Sequence, residues 1–126
     1  MTNLDNHLFT KEHEWLIVNG DIATVGITDF AQGELGDIIF IELPSAGDCF
    51  VSEEVFGTIE AVKTVADLFM PIKGDIIEVN DEIEDNPDYV NSSPYEKGWI
   101  VKIKISNTSD LGNLLNHEDY KKLING

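Results

Sequence analysis

The sequence predicts a mainly β fold, a pseudo-twofold β sandwich with an N-terminal hairpin and a C-terminal helical segment. Three observations predict it. Apolar and β-branched residues recur in short runs bounded by turn residues over most of the chain. The tetrapeptide Gly36-Asp37-Ile38-Ile39 returns as Gly74-Asp75-Ile76-Ile77, each copy leading an apolar strand into an acidic, turn-rich segment. From Ser109 onward the apolar spacing becomes helical. The repeat suggests two halves with a hairpin between them, although Gly-Asp-Ile-Ile is also a common turn-to-strand transition, and both readings stay open on these residues alone.

Taken in order, Trp15-Leu16-Ile17-Val18 is a strand, and Asn19-Gly20 after it is a two-residue hairpin signal pairing it with the next. That partner is Ile22-Ala23-Thr24-Val25-Gly26-Ile27. Thr28 caps a short helix through Leu35, and Gly36 ends it. Ile38-Ile39-Phe40-Ile41-Glu42-Leu43 and Ile76-Ile77-Glu78-Val79 are the strands of the two repeat copies. Between them a strand leads up to Lys63 and another leads away, closed by Pro71 and Gly74, which puts Lys63 near a hairpin tip. Trp99-Ile100-Val101-Lys102-Ile103-Lys104-Ile105 alternates most cleanly. In the tail, Leu111, Leu114 and Leu115 follow Ser109-Asp110, and a second piece from His117 carries Tyr120, Leu123 and Ile124. One or two helices packed on the β core are expected there.

The chain has 126 residues, of which 42% are hydrophobic, so one domain over 1–126 with a real core is expected. Its formal charge is −16, from 24 acidic residues against 8 basic ones, and every basic residue is a lysine. Without arginine there is no bidentate phosphate reader, and a field this negative repels nucleic acid and anionic membranes. Basic patches on protein partners suit it better. The one cysteine, Cys49, cannot close an internal disulfide and reads as a small buried hydrophobe after the Gly47-Asp48 turn. Met1-Thr2-Asn3-Leu4-Asp5 lacks the basic and apolar regions of a signal peptide, and no apolar run reaches membrane-spanning length. A cytoplasmic protein is expected.

Most enzyme constellations are missing. His7, His13 and His117 are far apart in sequence and form no metal-spaced cluster. There is no phosphate-binding glycine loop, dinucleotide fingerprint or Gly-x-Ser-x-Gly elbow. With 24 carboxylates, two close ones are more often a solvated face than an acid/base dyad. Lys63, taken by itself, reads as an ordinary surface lysine on a turn or as a tether.

The motifs around it resemble the H proteins of the glycine cleavage system. Phe9-Thr10-Lys11-Glu12-His13-Glu14-Trp15 and Val25-Gly26-Ile27-Thr28-Asp29-Phe30-Ala31-Gln32 begin the resemblance. Leu35-Gly36-Asp37-Ile38-Ile39-Phe40-Ile41-Glu42-Leu43-Pro44 and Phe56-Gly57-Thr58-Ile59-Glu60-Ala61-Val62-Lys63 continue it. Asp67-Leu68-Phe69-Met70-Pro71-Ile72-Lys73-Gly74, Asn91-Ser92-Ser93-Pro94-Tyr95 and Gly98-Trp99-Ile100-Val101-Lys102-Ile103 complete it. The match is loose only at the first few residues and the final helix. The lysine motif alone is shared by lipoyl and biotinyl domains. Its combination with Glu12-His13-Glu14-Trp15 and Gly98-Trp99 is specific. Ala61, where the family usually has serine, Thr64, where it has alanine, and Met70-Pro71-Ile72-Lys73 are departures, and none removes the acceptor lysine.

The resemblance implies a lipoyl/biotinyl-type barrel-sandwich hybrid, its lipoyl-binding core at about 22–104 and its helical segment at about 109–125. It implies a non-catalytic, monomeric carrier in glycine catabolism and one-carbon metabolism, with lipoic acid in amide linkage on Lys63. The implied route takes an aminomethyl group from the PLP-dependent glycine decarboxylase to the tetrahydrofolate-dependent aminomethyltransferase. Dihydrolipoyl dehydrogenase then reoxidises the arm, and a lipoate ligase or lipoyl/octanoyl transferase attaches it. Carried over by position, Glu14 and Asp67 would receive the cationic amine of the loaded arm, since a desolvated ammonium needs a carboxylate partner. Glu12 stands where some members have serine and would add a charge.

Other readings differ in testable ways. A 2-oxo acid dehydrogenase lipoyl domain usually shows Asp-Lys-Ala, and a biotin carrier has methionines flanking the lysine, whereas Val62-Lys63-Thr64 stands here. A relay passing lipoyl or octanoyl groups to other complexes, and a cofactor-free interaction module in which Lys63 stays a free amine, are the alternatives.

Overall fold

The computed structural model describes Leu4 and residues 6–125. Among the described residues nine strands form in chain order: β1 (His7–Phe9), β2 (Glu14–Asn19), β3 (Ile22–Ile27), β4 (Ile38–Glu42), β5 (Cys49–Phe50), β6 (Val55–Ala61), β7 (Val65–Phe69), β8 (Gly74–Val79) and β9 (Val101–Ile105). Helix α1 (Asp29–Leu35) lies between β3 and β4, and two single turns, α2 (Glu82–Asp85) and α3 (Tyr89–Ser92), lie between β8 and β9. A 3₁₀ segment (Thr108–Asn113) and α4 (His117–Asn125) follow. Of Met1–Asp5, on which the reading of the N-terminus rests, only Leu4 is among the described residues.

Two antiparallel sheets result, one in the order β1-β2-β3-β9-β8-β5 and one of β4-β6-β7. The period-two faces of both meet in a core that includes Leu16, Val25, Ile41, Ile59, Leu68, Ile76 and Ile103. The expected β2–β3 hairpin forms, with Asn19 opposite Ile22 and Gly20 at φ 67, a left-handed position that glycine takes without steric cost.

The repeated tetrapeptide is a structural repeat. Each copy opens a strand in a different sheet, and in each the register slips directly after the first isoleucine, between Ile38 and Phe40 in β4 and between Ile76 and Glu78 in β8. A bulge adds one residue and so changes which later side chains face inward. Ile38 and Ile41 are therefore both buried although three apart, while Ile39 and Ile77 face solvent. The matched bulges support the expected pseudo-twofold arrangement.

One expectation is corrected. Cys49 is exposed, not buried. It opens the two-residue edge strand β5, where Phe50 turns inward onto the core, so its neighbour must point out. Its thiol donates to Asp75 Oδ1 at 2.8 Å, which pushes its pKa up. The first piece of the tail is a 3₁₀ turn capped by Asn107, whose Oδ1 accepts from Ser109 N–H at 3.1 Å.

Phe9, Trp15 and Tyr120 form a second buried cluster that fastens α4 to β1, with Phe9 and Tyr120 stacked at 4.6 Å. Trp15 lies opposite Gly26, and its Nε1–H donates to Pro94 O at 3.0 Å. A Cβ on Gly26 would stand 2.7 Å from the indole ring. Gly26→Ala is expected to cost about 2–3 kcal/mol through overpacking, measured as a lower denaturant midpoint at unchanged m-value.

Candidate functional site

Strands β6 and β7 pair as a hairpin whose last rung is Glu60 opposite Val65. Ala61 N–H donates to Thr64 O at 2.8 Å, closing the turn on Val62, Lys63 and Thr64. Val62 N–H donates to Asp37 O at 3.0 Å, so the tip is fastened to the loop that follows α1. Lys63 sits at that tip as the sequence predicts, between Val62 (71% exposed) and Val65 (63% exposed). Among the described residues no carboxylate stands within 4 Å of its Nζ. The lysine stem lies along Gly36, where an added Cβ would meet Lys63 Cε at 3.4 Å. Gly36 has φ 78 and caps α1, its N–H donating to Gln32 O at 2.9 Å.

Beside Gly36, with Glu34 and Leu35 in its lining, a cleft of about 390 Å³ opens between α1, β7 and the β1–β2 connection. Ile27, Leu35, Ile59 and Leu68 give it apolar walls, with Phe30 and Ala31 from α1. The three acids singled out from the sequence, Glu12, Glu14 and Asp67, all line it. Glu12 also borders a second cavity of about 460 Å³ beside the 3₁₀ segment.

The three acids are not equivalent. Glu12 and Asp67 are exposed, whereas Glu14 is 2% exposed. Glu14 Oε2 accepts from Phe69 N–H at 2.8 Å. Thr10 Oγ1 accepts from Glu14 N–H at 3.1 Å and donates to Glu14 Oε1 at 3.3 Å. Burial pushes the Glu14 carboxyl up to about 8, with a further push from Glu12, and the Phe69 and Thr10 hydrogen bonds only partly offset this. At neutral pH Glu14 is therefore a protonated acid.

Two further cleft residues, Glu34 and His13, did not emerge from the sequence reading. Glu34 stands four residues after Phe30 on α1, and that spacing places both on one helix face. His13 carried no such signal, because its placement depends on a left-handed backbone (φ 69) and on contacts remote in sequence. Its Nδ1 hydrogen-bonds Tyr120 Oη at 2.9 Å, and its ring tilts against Phe30 at 4.8 Å. Burial lowers its pKa, opposed by Glu12 and Glu34.

An apolar channel edged by three exposed carboxylates, with the protonated Glu14 in its wall, suits an aliphatic chain ending in a cationic head, since the stem is dehydrated while the charge finds partners. Among the described residues no three His, Cys, Asp or Glu side chains are grouped so that they could hold a metal ion. No helix among them is long and apolar enough to cross a membrane.

Comparison with known proteins agrees over nearly the whole chain. The family described as glycine cleavage H-protein matches residues 7–126. The glycine cleavage system H protein of Staphylococcus carnosus is 52% identical over 116 residues, covering 92% of each chain. That of Halalkalibacterium halodurans is 50% identical over 125 residues, covering 98% of each. The crystal structure of a glycine cleavage system H protein from Mycobacterium marinum superposes with a TM-score of 0.88 at 34% identity, covering 97% of this chain and 98% of that one.

Proposed function

The chain belongs to the glycine cleavage H-protein family, the non-catalytic carrier subunits of the glycine cleavage system, and from that premise we propose that Lys63 carries lipoic acid in amide linkage. As a subunit of that system it interacts with the system's other components. The finer reading is that it takes an aminomethyl group from glycine decarboxylase to the aminomethyltransferase and is then reoxidised by dihydrolipoyl dehydrogenase. A lipoate ligase or lipoyl/octanoyl transferase supplies the arm.

The observation that carries this reading is one exposed lysine at a hairpin tip, next to a cleft with apolar walls and an acidic rim. Lys63 fits the attachment, because its amine is exposed and, among the described residues, held in no ion pair. When bound, lipoic acid supplies a dithiolane whose sulfurs accept the aminomethyl group, which is cofactor chemistry the protein need only place. The protein residues do the rest. Val62 and Asp37 steady the tip while leaving the stem free to swing. Ile27, Ile59 and Leu68 dehydrate an aliphatic arm. Glu14 gives up its proton to pair with a cationic amine, and Asp67 and Glu12 at the rim add charge.

Reconstituted glycine–bicarbonate exchange with the decarboxylase tests the reading. Exchange should follow the amount of lipoylated chain added and stay at background with unmodified chain. Equal exchange with the unmodified chain would overturn it.

A further inference from the structure

The wall of the cleft formed by α1 rests on the core only through partly buried side chains, Ala31 and Leu35. The helix has seven residues, none of them buried, which is too short to hold its place by helix stability alone. Its position is set at its ends, and the Asn91–Tyr95 segment reaches both. At the N-terminal end Tyr95 Oη accepts from Asp29 N–H at 2.9 Å. At the C-terminal end Asn91 Nδ2 donates to Gly36 O at 2.8 Å and to Gln32 Oε1 at 2.9 Å, while its Oδ1 accepts from Ile38 N–H at 3.0 Å. One amide thus ties the end of α1 to the start of β4. The loop it holds, Gly36-Asp37, is the one that receives Val62 N–H and lies along the Lys63 stem.

The segment is itself built to stay in place. Trp15 donates to Pro94 O, and Gly98 N–H donates to Ser93 O at 2.8 Å. At Gly98 an added Cβ would stand 2.7 Å from Tyr89 O and 2.8 Å from Ser93 O, so the chain closes on α3 only with glycine there. The half-buried Asn91 amide has both its N–H groups and its oxygen paired, and losing it leaves Gly36 O and Ile38 N–H without that partner.

We propose that Asn91 and Tyr95 are positioning residues that brace the two ends of α1 and thereby fix the cleft wall relative to Lys63. This rests on the carrier reading of Lys63 for its purpose, not for its geometry.

Amide hydrogen exchange on the full, unmodified chain tests the brace without any cofactor. Asn91→Ala should speed exchange at Gln32–Gly36 and Ile38 about tenfold, with β3 and β9 unchanged. Tyr95→Phe, which removes only the hydroxyl, should speed Asp29 by a similar factor. Asn91→Asp keeps an acceptor for Ile38 N–H but loses both donations, so Ile38 should stay protected while the end of α1 opens. Exchange that rises uniformly through the sheets in these variants, or stays unchanged in α1, would overturn the brace. In a parallel arm, each variant should accept lipoate from a ligase to completion, and the loaded forms should lose their cargo faster than the parent. An equal cargo lifetime would deny the brace its role at the cleft. Failure of the parent chain itself to accept lipoate would instead overturn the carrier reading and leave the exchange result standing.

Discussion

Lys63→Arg is expected to abolish acylation of the chain by a lipoate ligase supplied with lipoate and ATP, while the parent gains one lipoyl group, both read by intact mass. Amide formation needs a neutral amine as nucleophile, and a guanidinium is never deprotonated in a protein and cannot supply one. Arginine keeps the charge and nearly the length, and position 63 is exposed with no ion pair among the described residues, so the fold should be untouched. Several other lysines do not offer the same presentation. Lys102 stands 3.8 Å from Glu78 and lies over Trp99, Lys97 lies over the Tyr89 ring, and Lys121 and Lys122 are on α4. Lys11 also stands in a hairpin turn, between β1 and β2, but follows the buried Thr10, whereas Lys63 stands at the β6–β7 tip flanked by exposed valines. A single lipoyl group on the arginine variant would place the acceptor elsewhere and sink the assignment. Loss of exchange with the decarboxylase should follow loss of the mass increment in the same preparation.

What the sequence showed of this site, and what it hid, follows from which interactions are local. The β2–β3 hairpin, the Thr28 cap and the Lys63 tip are set by residues adjacent in the chain, and all three appear as expected. The bulges at Ile39 and Ile77 were hidden because a pleat slip is fixed by the partner strand, and only the repetition of Gly-Asp-Ile-Ile hinted at them. Cys49 was misplaced for a related reason. In a two-residue edge strand, inward or outward facing is decided by one neighbour, Phe50, and composition carries no such signal. Strand β1, with three residues, is too short to show alternation, and its pairing through Phe9 to Leu115 joins opposite ends of the sequence. The same holds at the cleft. The family resemblance pointed to Glu12, Glu14 and Asp67 together, but nothing in the residues distinguished the buried acid from the two exposed ones. That difference arises only when Thr10, Phe69 and the apolar walls close around Glu14.

Glu14→Gln is expected to become more stable relative to the parent as pH rises. In the folded chain the Glu14 carboxyl titrates at about 8, against an ordinary value of 4.5. Between these two values the folded chain holds a proton that the unfolded chain has lost, so raising the pH favours unfolding. The contribution is whole below 4.5, declines through the window at ~1.4 kcal/mol per pH unit, and is gone above about 8. Glutamine has the shape of the neutral acid and keeps an oxygen for Phe69 N–H, but it has no proton to lose. Denaturant midpoints of the two proteins should nearly coincide at pH 5 and separate by a few kcal/mol at pH 9, with glutamine ahead. Parallel curves across that range would mean that Glu14 is ionised in the fold. The same titration governs the cargo. An ammonium beside Glu14 favours the carboxylate, so its docking below about pH 8 must expel the carboxyl proton. Protection of the aminomethyl-loaded arm should therefore strengthen with pH by up to tenfold per unit, level off above about 8, and lose this slope in Glu14→Gln. Cargo lifetimes measured against pH in both proteins decide it, and a parent profile that is flat from pH 6 to 8 would remove Glu14 from the docking of the amine.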